Sequence, residues 1–382
     1  MISLCVPTMN RSEFLTRLLH YYASTRFPYW ICIGASSSRE QVTNNQRIVA
    51  AFQNQLNIHY EECPGLSSCA ALEQLSRSIS TPYCAFLGDD DFICPAGIER
   101  CVAFLEQHPE CGAVHGKGLM FQTEQNHPYG SIGTVRYCPQ AVLTADSGAA
   151  RLIELFTVSQ YALLNSVHRT LTWQAMFRGL SAMPGIQNRN IFKDELIATC
   201  VSVIRGTVRE IDGLYFVRHI HVEDSYRFPH AYDWLTDPDW FPSYQVFHAR
   251  LTEELIRQDG ISVEQARVVI RQSFWPYVAG AVMASWRADS RASAPQAPSR
   301  LRDVAKRVPG IGPAWRTLRA MVQRSRDACS LPALLHASSP YHEDFLPVYA
   351  VITSTPRERF EDLSTEGRAA NATAAYAGAA TG

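Results

Sequence analysis

Over roughly its first 120 residues the chain alternates short apolar runs with stretches whose apolar positions recur every three or four residues. No other feature restricts the fold as much. Residues 2–6 are an apolar run, after which Ser12 can cap a helix presenting Phe14, Leu15, Leu18, Leu19 and Tyr22 on one face. Residues 29–33 are apolar again, and Val42, Ile48, Val49, Phe52 and Leu56 define a second helical face. A short strand at 58–61, a helix carrying Leu72, Leu75 and Ile79, and a strand at 83–87 follow. Pro95 and Gly97 open a further helix with Ile98, Cys101, Val102 and Leu105 inward, before a strand at about 113–121. This βαβα order predicts an α/β fold with a mainly parallel sheet and helices on both faces. Ligands of such sheets sit at the carboxyl ends of the strands.

Beyond that frame, residues 122–145 read as a polar loop, 147–158 as a helix, 161–169 as a strand, 185–190 as a loop and 193–204 as a helix. The runs 207–211 and 214–219 flank Asp212-Gly213, which predicts a two-residue hairpin. From about residue 230 the pattern is helical, through 244–258 and 263–286. Residues 291–299, rich in Ala, Ser and Pro, predict a linker, and 301–326 are basic and partly amphipathic, with Val304, Val308, Trp315, Leu318 and Met321 among arginines. Residues 341–352 are apolar enough to dock on the body, and the Ala/Gly/Thr tail from Arg368 predicts disorder. The chain divides accordingly into 1–226, 227–290, 291–367 and 368–382.

The 382 residues can build one large domain plus accessory elements. A formal net charge of −1 gives no general attraction to nucleic acid. Eleven cysteines lie scattered without a C-x-x-C pair, which favours a reducing cytosol over a disulfide framework or a zinc knuckle. The N-terminus lacks the basic region and length of a signal peptide, and the apolar run at 274–286 is too short to span a bilayer, so a cytoplasmic location is expected.

The string Tyr83-Cys84-Ala85-Phe86-Leu87-Gly88-Asp89-Asp90-Asp91-Phe92 takes an apolar strand straight into three carboxylates. Three adjacent aspartates repel one another, and capping the following helix needs one of them at most. A divalent cation is the natural compensating charge. The triplet ends the fourth strand and Pro7-Thr8-Met9-Asn10-Arg11 ends the first, so both face one crevice.

Residues 2–15, Ile-Ser-Leu-Cys-Val-Pro-Thr-Met-Asn-Arg-Ser-Glu-Phe-Leu, and 81–92, Thr-Pro-Tyr-Cys-Ala-Phe-Leu-Gly-Asp-Asp-Asp-Phe, with Pro95 and Gly97 after them, resemble a family 2 type inverting glycosyltransferase of the GT-A fold. The likeness is to the bacterial subgroup with a three-aspartate metal motif and covers about residues 1–224. It implies a GT-A type, Rossmann-like mixed sheet flanked by helices with a C-terminal helical region. It also implies a nucleoside-diphosphate-sugar donor lying across Pro7, Thr8, Asn10 and Arg11. Mn²⁺ or Mg²⁺ would be held by Asp89, Asp90 and Asp91 against the diphosphate. Whether the motif starts at Gly88 or Asp89 decides between Asp90 and Asp91 as main ligand, and Asp91 is preferred; Asp89 also counts among donor contacts. Where the family places a base-binding aspartate the chain has Ile33-Gly34-Ala35-Ser36-Ser37-Ser38, leaving Ser36 or Ser37 for that contact or an ordinary turn. By the same resemblance the catalytic base is Asp194, with Glu195 as the alternative. His221 completes the metal shell or binds phosphate, and Arg218 returns to the donor. His115 and Lys117 are candidates for the acceptor side.

The reaction so implied moves a sugar to a hydroxyl of a glycan, a lipid-linked glycan or a protein. Residues 301–326 would allow peripheral contact with an anionic membrane. Two other readings compete: a non-catalytic nucleotide- or glycan-binding module, which the missing base-binding aspartate favours, and a sugar-phosphate nucleotidyltransferase. The second is disfavoured by the absence of glycine from the turn at residues 7–11.

Overall fold

The computed structural model describes residues 1–125, 127–157, 163–183, 191–221, 230–293 and 329–354, without the side chains of 290–293. Of the linker expected at 291–299, residues 291–293 instead continue the helix that begins at Val263, and 294–299 lie outside these residues, as do the basic segment 301–326, the loop 185–190 and the tail from 368.

The first half follows the alternation read from sequence: β1 (Ile2–Thr8), α1 (Ser12–Ser24), β2 (Trp30–Ala35), α2 (Arg39–Phe52), β3 (Asn57–Glu62), α3 (Ser68–Ser78) and β4 (Tyr83–Phe86). Next come β5 (Phe92–Ile93), α4 (Pro95–Gln107), β6 (Cys111–Thr123), β7 (Ile132–Tyr137), α5 (Gly148–Thr157), β8 (Val167–Arg169) and α6 (Thr170–Phe177). A π turn at Phe192–Leu196 leads into α7 (Ile197–Arg205) and β9 (Thr207–His219). Helices α8 (Ala231–Thr236), α9 (Trp240–Asp259), α10 (Val263–Ser293), α11 (Leu331–Leu335) and α12 (His342–Thr353) complete the described chain.

These strands form one sheet in the order β3-β2-β1-β4-β8-β6-β9-β5, with β7 beside β6. Strands β3, β2, β1 and β4 are parallel, as are β6 and β9, and most paired residues are in parallel register. Strand β8 is antiparallel to both β4 and β6 and joins the halves into a mixed sheet. β1 shows why both faces are covered: Leu4 and Val6 enter one apolar core with α1, α2, α4 and α12, whereas Cys5 enters a second with α3, α5, α6, α7, α9 and α10. In α12, Phe345, Val348 and Ile352 are buried in the first core, and Asp344 pairs with Arg100 of α4 at 2.9 Å. No helix among the described residues is long and apolar enough to cross a membrane.

Three local expectations are corrected. Asp212-Gly213 makes no hairpin; β9 runs unbroken from Thr207 to His219 and pairs in parallel with β6 on both sides of it. Gly213, at φ 99°, absorbs a bulge where the register shifts between His115 and Lys117. The polar stretch at 122–145 contains β7, held by the long-range partner β6 rather than by apolar alternation. Of the strand expected at 161–169, residues 163–165 are a 3₁₀ turn and 167–169 are strand, and α6 follows at once.

The start of β6 and the turn into β9 meet backbone to backbone: a Cβ on Gly206 would lie 2.5 Å from Gly112 Cα. Neither main chain can yield without shifting a paired strand. Gly206→Ala should therefore lose about 1–3 kcal/mol of stability, read as a lower denaturant midpoint with an unchanged slope.

Candidate active site

Strands β1 and β4 are parallel neighbours, so their carboxyl ends open side by side. Leu87 N–H still bonds Cys5 O at 3.0 Å; then the chain turns, with Asp91 N–H donating to Gly88 O at 3.1 Å, and enters β5. The three aspartates occupy this turn. Asp89 and Asp91 are buried and Asp90 is half-buried.

Each carboxylate has its own support. Asp89 Oδ2 accepts from Thr8 Oγ1 at 2.7 Å, and its Oδ1 lies 3.3 Å from Arg11 Nη2. Asp90 Oδ2 accepts from Arg11 Nη2 and, at 2.8 Å, from His221 Nε2. Arg11 Nη2 is also 3.2 Å from His221 Nε2, but arginine has no acceptor and the imidazole proton is committed to the closer carboxylate. That contact is a juxtaposition rather than a second hydrogen bond. Asp91 Oδ1 accepts from the backbone N–H of His219 at 2.9 Å.

Sequence reasoning missed Arg17. It lies on the buried face of α1, one turn from Phe14, and is fully buried between the Phe14 and Phe92 rings, 5.0 and 4.9 Å from their centroids. Its guanidinium donates to Asp90 O and, at 2.5 Å, to Pro128 O, and contacts His219 Nδ1 at 3.2 Å. Burial lowers the Arg17 pKa to about 10 despite nearby Asp90, which leaves it charged at neutral pH. Burial, reinforced by Arg17, drives His219 far below its ordinary value, so this imidazole is neutral and Nδ1 accepts from Arg17. The signal was present: an arginine at position 17 interrupts an apolar face formed by Phe14, Leu18 and Tyr21.

For Asp90, burial disfavours the charge, but hydrogen bonds from His221 and Arg11 overcome it and hold the carboxyl well below the usual range. Asp89 lacks that surplus, and burial pushes it upward. Of the two, Asp90 keeps its charge to lower pH.

A cavity of about 350 Å³ opens in front of the triplet. Of the candidates read from sequence it gathers Pro7, Thr8, Arg11, Ser36, Asp89, Asp90, Asp91, Asp194, Glu195 and Arg218. Asn10, Ser37 and His221 do not line it. Asn10, at φ 56°, donates from its N–H to Ser37 Oγ at 2.9 Å, and its Oδ1 accepts from Ser38 N–H at 2.8 Å. Asn10 and Ser37 thus tie together the loops at the ends of β1 and β2. His221 sits behind Asp90, with its ring stacked 4.9 Å from Phe14. His115 and Lys117 are also elsewhere: His115 is buried against Gly116 O and Ala141 O, and Lys117 pairs with Glu210. Unanticipated were the apolar lining from Cys69, Leu72, Phe86 and Leu163, and Asn165, whose Nδ2 donates to Phe86 O at 3.2 Å.

Asp194 and Glu195 reach the same cavity from the π turn, a distortion frequent at functional sites. Glu195 Oε2 is buried with no hydrogen-bond partner among the described residues. Burial pushes this carboxyl up to about 7, with Arg218 pulling it down and Asp194 adding to the rise. A carboxylate poised there can exchange a proton with a ligand near neutral pH.

Among the described residues no group of three or more His, Cys, Asp and Glu side chains forms a metal cage. The oxygens nonetheless converge over Gly88: a Cβ at that position would stand 2.6 Å from Asp90 Oδ1 and 3.3 Å from Asp91 Oδ2. Two hard oxygen donors in a glycine-cleared space fit a divalent ion that draws its remaining ligands from water and phosphate.

No family model matches the sequence, and no curated protein matches it. Solved structures similar to it include S. aureus TarS 1–349, at 12% identity over 78% of this chain and 76% of that one, with a TM-score of 0.47. Its complex with UDP-GlcNAc is 16% identical over 72% and 71%, at 0.45, and its complex with UDP 15% identical over 72% and 70%, at 0.43.

Because Glu195 titrates higher in the folded chain than in the unfolded one, its proton stabilises the fold, and that stability is lost as pH rises from about 4.5 through about 7. Glu195→Gln should flatten this part of the stability-pH curve. The expected result is a variant more stable than the parent above about pH 7 and equal to it below about 4.5, measured by thermal melting across that range.

Proposed function

We propose that the chain is an inverting glycosyltransferase that uses a nucleoside-diphosphate-sugar and a divalent cation, Mn²⁺ or Mg²⁺. The observation that carries this reading is the one cavity lined by both the Asp89-Asp90-Asp91 turn and the Asp194-Glu195 pair. One acidic group suits a cation and diphosphate, and the other suits a proton leaving an acceptor hydroxyl. The sequence likeness of residues 2–15 and 81–92 supports the same assignment.

Asp90 and Asp91 would hold the cation through the oxygens gathered over Gly88. Bound there, such an ion would neutralise charge developing on the leaving nucleoside diphosphate. Thr8, itself fixed on Asp89, and Ser36 border the end of the cavity suited to the nucleotide. Opposite them, Glu195 takes the proton of the acceptor hydroxyl as that oxygen attacks the anomeric carbon. The bond from that carbon to the diphosphate oxygen breaks with inversion, and the electron pair leaves with the nucleoside diphosphate. Sequence likeness favours Asp194 for this base; the open oxygen and raised pKa favour Glu195. Arg218, which lines the cavity and lowers the Glu195 pKa, is suited to the donor's phosphate side. The acceptor is a hydroxyl of a glycan, a glycolipid or a protein, with the apolar lining from Leu72, Phe86 and Leu163 flanking its approach.

The test is release of nucleoside diphosphate from a panel of UDP- and GDP-sugars with Mn²⁺ or Mg²⁺, with and without acceptor extract. We expect metal-dependent release from one donor. Activity should fall as pH drops through about 7. Glu195→Gln should lower kcat by at least about 10²-fold and abolish that acid limb. Asp194→Asn should retain the limb. Absence of metal-dependent release with every donor would leave the non-catalytic binding module as the better reading.

A further inference from the structure

Arg11 is bound to the groups expected to receive the cation. We propose that Arg11 is the resident counter-ion of the aspartate turn and competes with the divalent ion for it, so that metal enters with the donor's diphosphate rather than alone. This rests on the cation reading above.

The guanidinium is fixed from several directions. It lies over the Phe14 ring, 4.5 Å from the centroid, and its Nη2 reaches both Asp89 Oδ1 and Asp90 Oδ2. Asp90 Oδ2 also accepts from His221 Nε2, which lies beside Arg11 Nη2. A dication arriving over Gly88 would therefore meet a carboxylate whose neighbouring oxygen already carries a cation, and two positive charges on one carboxylate repel each other. The count of charges agrees. Three carboxylates face Arg11 and Arg17, leaving about one negative charge for an ion carrying two positive ones.

The two arginines differ in what they can do next. Arg17 is fully buried and holds two backbone carbonyls, so it cannot leave. Arg11 lines the cavity, retains 21% side-chain exposure and has a buried Nε without a partner among the described residues. A diphosphate in the cavity offers its planar fork a doubly charged acceptor of matching geometry. The same ligand supplies the negative charge that the dication lacks in the free chain. Arg11 thus passes from carboxylate to phosphate as the metal takes its place, which makes metal and diphosphate affinities reciprocal.

The test uses the full chain and Mn²⁺ binding followed by electron paramagnetic resonance of the free ion. Manganese held by the diphosphate in solution is measured separately and subtracted. The parent chain should bind Mn²⁺ weakly alone and about tenfold or more tighter with UDP or GDP. Arg11→Gln should bind Mn²⁺ alone about tenfold more tightly than the parent, gain little from the diphosphate, and bind the diphosphate less well. Arg11→Lys, which keeps the charge, should stay close to the parent for the metal. Equal or weaker Mn²⁺ affinity of a folded Arg11→Gln, with parent binding still enhanced by diphosphate, would overturn the competition alone. If Mn²⁺ binding in parent and Arg11→Gln survives Asp91→Asn and Asp90→Asn together, the ion does not sit on this turn, and the cation reading fails with it.

Discussion

Everything at this site depends on how three adjacent carboxylates are kept charged at a buried strand end. The chain answers with two arginines, Arg11 just before α1 and Arg17 within it. Because β1 and β4 are parallel neighbours, α1, which follows β1, passes directly over the turn after β4. Arg11, Phe14 and Arg17 are three residues apart, so they share a face, and the Phe14 ring lies against both guanidinium groups. Arg17 carries the permanent part of this compensation. It is buried, bonded to backbone oxygens and still charged. Burial, reinforced by Arg17, keeps His219 neutral, and the backbone N–H of His219 fixes Asp91.

The second acidic group of the cavity is built on another logic. Asp194 and Glu195 come from a π turn at the start of α7, where one extra residue per turn shifts side chains out of the ordinary helical succession. No arginine is bonded to Glu195 Oε2, and burial raises its pKa where Asp90 is lowered. Two acidic groups on one cavity are thus set to opposite behaviour by their surroundings, which is the pattern expected when one holds a cation and the other moves a proton.

Legibility in the sequence followed the range of the interactions. The βαβα frame, the strand running into Asp89-Asp90-Asp91 and the convergence of residues 7–11 on it were readable because they rest on local periodicity and on the geometry of parallel strands. Asp212-Gly213 misled because its turn preference is local, whereas the parallel partner β6, nearly a hundred residues earlier in the chain, decides what the segment does. β7 was missed for the same reason. Asn10 and Ser37, read from sequence as donor contacts, bond to each other's loops, which makes them braces rather than cavity lining. Arg17 was overlooked because a buried cation looks like an error in an amphipathic pattern until the carboxylates it serves are placed beneath it.

The charges around the cavity also bear on what can enter it. Asp89, Asp90, Asp91, Asp194 and Glu195 are met by Arg11, Arg17 and Arg218, and Arg17 is turned away into the core. Even with Glu195 partly protonated near pH 7, the surface offered to a ligand is negative on balance. A bare diphosphate would be repelled from such a crevice, and a bare dication would find Arg11 in its way. A diphosphate accompanied by a divalent ion meets neither obstacle, because each supplies the charge that the other's binding place lacks. The same balance separates this site from a phosphate pocket built on arginines alone, where added carboxylates would only weaken binding. Five acidic groups around one cavity are consistent with a ligand that carries its own cation.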